Sequence, residues 1–596
     1  MSAIAELHCD FILYITPEKF YIEALSGGKE LLVIDRVSQE ISLQVNHSQI
    51  PQASSTKPIC GIVGTLQLLA GPYLVIITKK HKVGTINGQT IWQVAETDVI
   101  SYKRTLLHLT QKQISQNELY ISMVENVLNT PFLYFSYSYD ITHTLQRLHN
   151  TTPEFLQMPY HERADLRFVW NGHLLREFAN QPELCRFCLP LLHGFISINQ
   201  CSLNGKPFLW TIVSRRCCFR AGTRLFTRGI DVQGNVANFV ETEQIVEFSG
   251  DRSSFVQTRG SIPLFWNQLP NLKYKPKPHL IQNENHTEAF SRHFDTQIFN
   301  YSRQVLINLV DHHGAEGILE KSYGEMVNQM GNSNIRYESF DFHAECRHLR
   351  WDRLSILIDR LAHEQDEFGC FLLTRDGTLV SLQDGVFRTN CIDCLDRTNV
   401  VQSMLARRSL TQVMQKLGIL RAGQRVEDQP YFEPLFKSVW ADNADVISIQ
   451  YSGTGALKTD FTRTGKRTVW GLISDGMNSF TRYCKNNFAD GFRQDSIDLV
   501  LGRYMVEDGE GITRPCPLDV EKGWKYITFP WILVMAIFMF FANVVTPSEY
   551  TTESLLYLLF WASMVAVTVA TIMIYGTEFV DYPKLCEIRK TFATIE

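Results

Sequence analysis

The chain has 596 residues, 57 Lys and Arg against 62 Asp and Glu, and a formal net charge of −5. That length exceeds a single domain, and 45% hydrophobic with 20% charged residues excludes a disordered, fibrous or collagenous chain. The near-neutral balance also excludes a dedicated nucleic-acid binder, while leaving room for a local basic patch that takes an anionic ligand. Met1–Tyr14 carries Glu6 and Asp10 but no Lys or Arg, so it does not look like a secretory leader. The 14 scattered cysteines are therefore expected to be reduced cytosolic thiols. The sequons at Asn46, Asn150, Asn285 and Asn300 are expected to be chance matches.

Residues 1–180 hold short alternating apolar segments and predict a β-rich N-terminal unit. Leu74–Thr78 reads as a strand, and Val83–Ile86 and Gln89–Val94 flank Asn87-Gly88, a two-residue hairpin signal. Residues 181–505 mix strand and helix patterns, as an α/β unit does. Within them Phe371–Thr374 and Leu379–Leu382 flank Asp376-Gly377, a second hairpin. Residues 506–526, with Pro515, Pro517 and several glycines, are expected to be a linker. Residues 527–575 predict a hairpin of two membrane spans, 527–545 and 555–575, each almost wholly apolar and without one charge. Pro530 is expected in the first turn, and Trp524, Tyr526, Trp531, Tyr557, Trp561 and Tyr575 suit interfacial belts. Lys522 and Lys525 precede the first span and Lys584, Arg589 and Lys590 follow the second, whereas the loop Thr546–Ser554 has no Lys or Arg. The positive-inside bias thus keeps both ends, including the tail 576–596, on the cytoplasmic side.

The chemistry concentrates at 386–399. A short strand pattern precedes Cys391, which is followed after five residues by Arg397 and Thr398. Beyond them Val401, Met404, Leu405, Val413, Met414 and Leu417 trace a helical stripe. Such a strand–loop–helix curls the backbone of Ile392, Asp393, Cys394 and Leu395 around one phosphate, and the helix N-terminus adds favourable partial charge. Arg397 supplies a planar fork for two phosphate oxygens. In that electropositive concavity the Cys391 thiol is expected to ionise and act as the nucleophile. Thr398 is expected to hydrogen-bond the sulfur, to cap the helix, or both. His312-His313, and His343 with Glu345, match no zinc spacing, and Cys185-x2-Cys188 has no second pair nearby, so no metal site is expected.

Arg388-Thr389-Asn390-Cys391-Ile392-Asp393-Cys394-Leu395-Asp396-Arg397-Thr398-Asn399 resembles the signature of the Sac-domain phosphoinositide phosphatases. Further stretches agree: Arg215–Arg224, Arg228-Gly229-Ile230-Asp231, Asn238–Gln244 and Arg259-Gly260-Ser261-Ile262-Pro263. The apolar C-terminal pair resembles the membrane-anchored branch found in the endoplasmic reticulum and Golgi. The resemblance implies hydrolysis of monophosphorylated phosphatidylinositols, chiefly phosphatidylinositol 4-phosphate, without a metal or other cofactor. It also implies an α/β catalytic domain of Cys-x5-Arg type and partners at membrane contact sites. By similarity to other Cys-x5-Arg lipid phosphatases, which carry acids inside the loop, Asp393 is the expected general acid. Asp396 is the alternative, and is equally suited to orient Arg397. Arg215, Arg216, Arg220, Arg224 and Arg228, five arginines within 14 residues, are expected to form a cationic lip for headgroups and the anionic bilayer, with Arg463, Lys466 and Arg467 adding to it. Anchored members can end in a lysine-based retrieval signal. This tail ends Lys590-Thr591-Phe592-Ala593-Thr594-Ile595-Glu596, so location rests on the hairpin and the resemblance. A membrane-surface protein phosphatase would share the chemistry. A lipid-binding tether would not need the intact Cys391 and Arg397.

Overall fold

Asn87 and Gly88 both take positive φ, 52° and 74°, as a two-residue hairpin turn demands. From that turn Gly71–Ile86 and Gln89–Ser101 pair antiparallel, starting at Ile86↔Gln89. This computed structural model describes residues 6–25, 30–44, 50–51, 55–347, 350–464, 466, 468–520, 522–545 and 551–586. Asn46, Arg467, Arg589, the tail Lys590–Glu596 and most of the loop Thr546–Ser554 lie outside the described residues.

The N-terminal unit is β-rich, as expected. Its first layer is a five-stranded antiparallel sheet in the order Ile41–Gln44, Leu31–Asp35, Lys19–Ala24, Phe11–Ile15, Ser55–Ile59. Its second layer begins a much larger sheet that does not stop at the expected boundary near residue 180. Leu133–Phe135 pairs with Leu192 and His193 of the strand Leu192–Leu203, so one sheet runs through both units. Local patterns reveal strands but not which strands meet across such a boundary.

At its far end the sheet turns parallel. Gly385–Asn390 lies between Arg303–Asn308 and Asp251–Arg259, parallel to both, and Ile335–Ser339 adds a further parallel strand outside Arg303–Asn308. Every residue of Gly385–Asn390 is buried, which is how parallel strands covered on both faces behave. The helices His286–Tyr301, Gly317–Met330, Leu354–Phe368 and Asp396–Lys416 supply that cover. The expected stripe on Asp396–Lys416 is real: Val401, Leu405, Leu410, Val413 and Met414 are buried. The second expected hairpin also forms, Phe371–Leu373 pairing with Leu379–Ser381 around Gly377 at φ 84°.

The described residues of 506–523 are irregular yet not a free tether, and 524–526 already belong to a helix. Glu510 accepts from Tyr120 Oη at 2.6 Å and Tyr504 Oη at 2.8 Å, Gln116 donates to Asp519 at 2.7 Å, and Cys516 and Leu518 are buried in the core under the helix Gln111–Leu128. Prolines and glycines mark an irregular path, but they say nothing of what the path adheres to.

Two apolar helices follow, Trp524–Val545 and Thr552–Ile574, packed on each other and exposed along nearly all of their length. The first begins three residues before the expected span, which places Pro530 inside the helix rather than in its first turn. The chain then returns to the body. The Asp581 amide donates to Asn487 O at 2.8 Å, and the amides of Lys584 and Leu585 donate to the Asp495 carboxylate at 2.9 Å. Gly491 permits this approach, since a Cβ there would sit 2.5 Å from Asp581 O. Phe226, Leu272, Phe579 and Val580 close a small apolar cluster at the base of the hairpin, with Tyr526 and Phe529 against it. Both ends of the hairpin are thus bound to the globular body.

Candidate active site

The strand Gly385–Asn390 ends by aiming its backbone out of the sheet edge. The Asn390 carbonyl accepts from Leu309 N at 2.8 Å, and Asn390 Nδ2 donates to Asn308 Oδ1 at 2.6 Å, so the last strand residue is held against its neighbour. Cys391 follows at once, 3% exposed, at the floor of a cavity of about 680 Å³. The chain curls through Ile392–Leu395, and Cys394 takes φ 54°, a left-handed turn rare for a non-glycine residue. The Cys394 thiol donates to Cys391 O at 3.4 Å, inside the curl. Burial pushes the Cys394 thiol up to about 12, the neighbouring Cys391 adding to it.

The helix Asp396–Lys416 starts directly behind the curl. Leu395, at its N-cap, has no side chain to satisfy the first amides, and is itself packed on Val240, Ile447 and Tyr451. Those amides and the favourable end of the helix dipole therefore remain for an anion. Thr398, in the first turn, donates its Oγ1 hydrogen to Cys391 Sγ at 3.5 Å, so of its two expected roles the structure shows the sulfur contact.

Arg397 reaches the cavity but is occupied. Its Nη1 donates to Leu309 O at 2.9 Å, and its fork touches Asp311 and Glu316 carboxylates at 3.4 Å, at the long edge of hydrogen bonding. Burial works against its charge, but Cys391, Glu316 and Asp311 more than offset that, and the guanidinium stays protonated. Asp311 in turn accepts from His343 Nδ1 at 2.6 Å. Beneath the loop lies Arg259, wholly buried, with Nη2 on Asn399 Oδ1 at 3.3 Å and no partner for Nε or Nη1 among the described residues. Burial lowers it to about 10, with Cys394 and Cys391 pulling the other way, so a cation stands behind the cysteine.

The two loop aspartates differ sharply. Asp393 accepts from Arg224 Nη2 at 2.9 Å and from Arg228 Nη2 at 2.6 Å. Burial alone would raise it, but these guanidinium groups win and hold it far below the usual carboxylate range. Held so, it has no proton to give near neutrality. Asp396 is half-buried and accepts from Leu457 N at 3.0 Å; desolvation pushes it up with the negative charge of Asp393 adding to it, against Arg482 and the Leu457 amide.

The expected cationic lip is an internal scaffold. Arg215 and Arg216 are 1% and 2% exposed; Arg215 is clamped by Glu241 at 2.9 Å and Glu243 at 2.7 Å, and Arg216 stacks on Trp170. Arg220 donates to Arg228 O, and Arg228 is buried against Ile392 O, Asp393 and Gln268. Only Arg224 lines the cavity. Arg463 is paired with Asp442 and Asp445. Glu241 faces Arg215 across a strand pair, a partner that a count along the chain cannot see.

A different group forms the rim. Lys273, Lys275 and Lys277 lie exposed in one loop lining the cavity beside Tyr274, and exposed Arg347 and Lys458 line it too. Gln268 ties this loop down, donating to Pro276 O at 2.8 Å while accepting from Arg228 at 2.6 Å. The Lys-Tyr-Lys-Pro-Lys-Pro run at 273–278 was the available signal for this rim, and Asp311, Glu316 and Arg259 carried none.

The SacI homology domain family matches residues 60–347. The chain is 54% identical over 588 residues to phosphatidylinositol-3-phosphatase SAC1-B of Danio rerio, covering 98% of this chain and 100% of that one. It is 54% identical to the SAC1 protein of Drosophila melanogaster, with 97% of each covered, and 36% identical to that of Saccharomyces cerevisiae, with 96% and 92% covered. The chain therefore belongs to the Sac family and is a phosphoinositide phosphatase.

Proposed function

We propose that the enzyme hydrolyses phosphatidylinositol monophosphates, chiefly phosphatidylinositol 4-phosphate, in the bilayer that its own apolar hairpin spans, from the endoplasmic reticulum and cycling to the Golgi. The observation that carries this is one cavity with Cys391 and Arg397 at the floor and five exposed cations at the mouth. The rim attracts the anionic headgroup, and the loop and first-turn amides receive its phosphate. A phosphate dianion offers Arg397 a shorter bidentate pairing than the 3.4 Å contacts to Asp311 and Glu316, and so draws the fork onto two equatorial oxygens.

Cys391 Sγ then attacks phosphorus, and the bond to the inositol oxygen breaks. Asp396, whose carboxyl burial raises, gives that oxygen its proton, in place of Asp393, which its two arginines hold ionised. The resulting carboxylate takes a proton from water, which attacks the cysteinyl-phosphate and releases inorganic phosphate and the thiolate. Asp393 serves instead as the counter-charge that lets Arg224 and Arg228 hold the curl.

Lys525 Nζ meets Glu578 Oε1 at 2.8 Å, which puts the start of the first apolar helix beside the end of the second. With Lys522, Lys525 and Lys584 at that shared end, the positive-inside bias favours the cytosolic face for the body. The names of the zebrafish and fly relatives specify the 3-phosphate, so ring position is the first matter for experiment. Phosphate release from vesicles of phosphatidylinositol 4-phosphate, phosphatidylinositol 3-phosphate, and from phosphopeptides, each with and without Cys391→Ser, tests the reading. Peptide turnover matching lipid turnover would contradict it.

A further inference from the structure

The helix Val469–Phe488 is built inside out. Its buried residues are Arg482, Asn486 and Asn487, all polar. Arg482 donates to Thr454 Oγ1 at 2.9 Å and Gly455 O at 2.8 Å, and Asp475 accepts from Lys458 N at 2.9 Å, so the inner face is tied down by polar contacts beside the cavity. The outer face carries the apolar groups. Val469, Trp470, Ile473, Met477 and Phe480 recur at helical spacing and are each more than half exposed, Trp470 at 81% and Phe480 at 66%. Cys484 and Phe488 continue the same line to the end of the helix, and no charge interrupts it. A water-facing helix shows the reverse arrangement, and an exposed apolar patch of this extent marks a docking surface.

The occupant follows from where the helix ends. Asn487 O holds the Asp581 amide and Asn487 Oδ1 accepts from Leu272 N, while Tyr483 Oη donates to Leu272 O at 2.8 Å. Leu272 belongs to the cluster with Phe579 and Val580, directly after the second apolar helix. The end of the helix therefore abuts the base of the hairpin, and exposed Lys458 and Lys466 precede its start. Resting on the reading of the hairpin as a membrane anchor, we propose that Val469–Phe488 is an interfacial helix whose Trp470–Ile473–Met477–Phe480 stripe lies in the lipid of that same bilayer. An amphipathic helix of this kind seats its apolar face about 5–10 Å into the headgroup–acyl boundary. Since its inner face walls the cavity, seating it brings the cavity mouth to the headgroup level.

The test uses the full chain in phosphatidylcholine vesicles that contain phosphatidylcholine bearing a diazirine on its acyl chain. After illumination, labelled peptides are mapped and compared with the peptide holding Val37, which is exposed on the N-terminal sheet. The proposal expects label both in Trp524–Val545 and on the stripe. Label in the hairpin alone overturns the proposal, leaves the anchor standing, and assigns the stripe to a protein partner or a second copy. Label in neither overturns the proposal and the anchor together. Ile473→Asp with Phe480→Asp, both on the exposed face, should slow turnover of long-chain lipid in vesicles by about tenfold or more, while a short-chain soluble substrate stays within about twofold. Unchanged vesicle turnover would also overturn it.

Discussion

Two loop carboxylates, Asp393 and Asp396, lie three positions apart in sequence and shift in opposite directions, because one is paired with two guanidinium groups and burial outweighs the favourable contacts of the other. Asp396→Asn should lower kcat by about 10²–10³ and remove the fall in rate that accompanies ionisation of the acid as pH rises. Asp393→Asn should keep that limb and instead loosen the loop, measured as a raised KM and a lowered melting temperature. The reverse assignment of the pH limb would restore Asp393 as the donor. The arginines divide in the same way. Arg215→Ala leaves Glu241 and Glu243 buried without a counter-charge, and should destabilise the fold by about 3–5 kcal/mol in a denaturant titration. Lys273→Ala with Lys275→Ala should leave stability unchanged and weaken binding to anionic vesicles, more at low salt than at high. The placing of Cys391, Arg397 and the curl in one loop was legible because they lie within a few residues of one another. The scaffold role of Arg215 and the clamp on Asp393 were not, since the partners come from a neighbouring strand and from residues about 165 positions away.

Elements followed the same division between local and distant causes. The Asn87-Gly88 hairpin, the stripe on Asp396–Lys416 and the two apolar helices are each written in a short window, and each forms close to its expected place. The docking of 506–520 on the helix Gln111–Leu128 depends on pairs such as Tyr120 with Glu510, 390 residues apart, and no window contains it. The segment after the second apolar helix is a further case, fastened by Asp495. Burial raises this carboxyl to about 7, and Asp498 and Asp581 add to it, while the Lys584 and Leu585 amides pull it back. Because the folded value lies above the unfolded one, the protonated form stabilises the docked segment. That contribution is complete below about pH 4 and is lost as pH rises through about 7. Amide exchange at Lys584 and Leu585 should therefore accelerate from about pH 4 to about pH 7 beyond the intrinsic base dependence, and follow that dependence alone above it. Asp495→Asn keeps an acceptor for both amides and should flatten that excess. An unchanged excess in this variant would place the titrating group elsewhere.

For the molecule as a whole, the hairpin and the catalytic body are fastened at two points rather than joined by a tether. A free 506–526 linker would let the cavity range over a wide area, whereas docking of that segment and of Gly576–Cys586 holds it at one height. Truncation after residue 520 removes Phe579 and Val580 from their cluster and leaves Asp495 without its amides. Such a protein should melt below one in which 527–575 is replaced by a short Gly/Ser bridge that retains 576–586, and equal melting temperatures would show the second fastening to be energetically idle. Both proteins should still turn over a short-chain substrate, because Cys391, Arg397 and Asp396 belong to the sheet edge and the helix behind it.

If Cys391 carries the phosphoryl group between lipid and water, it is transiently phosphorylated during turnover. Rapid acid quenching of the full-length enzyme during turnover of phosphatidylinositol 4-phosphate vesicles, followed by mass analysis of the peptide spanning 386–399, tests it most directly. A phosphoryl group should appear on Cys391 within one turnover, decay as substrate is exhausted, and be absent in Cys391→Ser together with activity. Steady turnover with Cys391 unmodified, or sustained activity in Cys391→Ser, would contradict it.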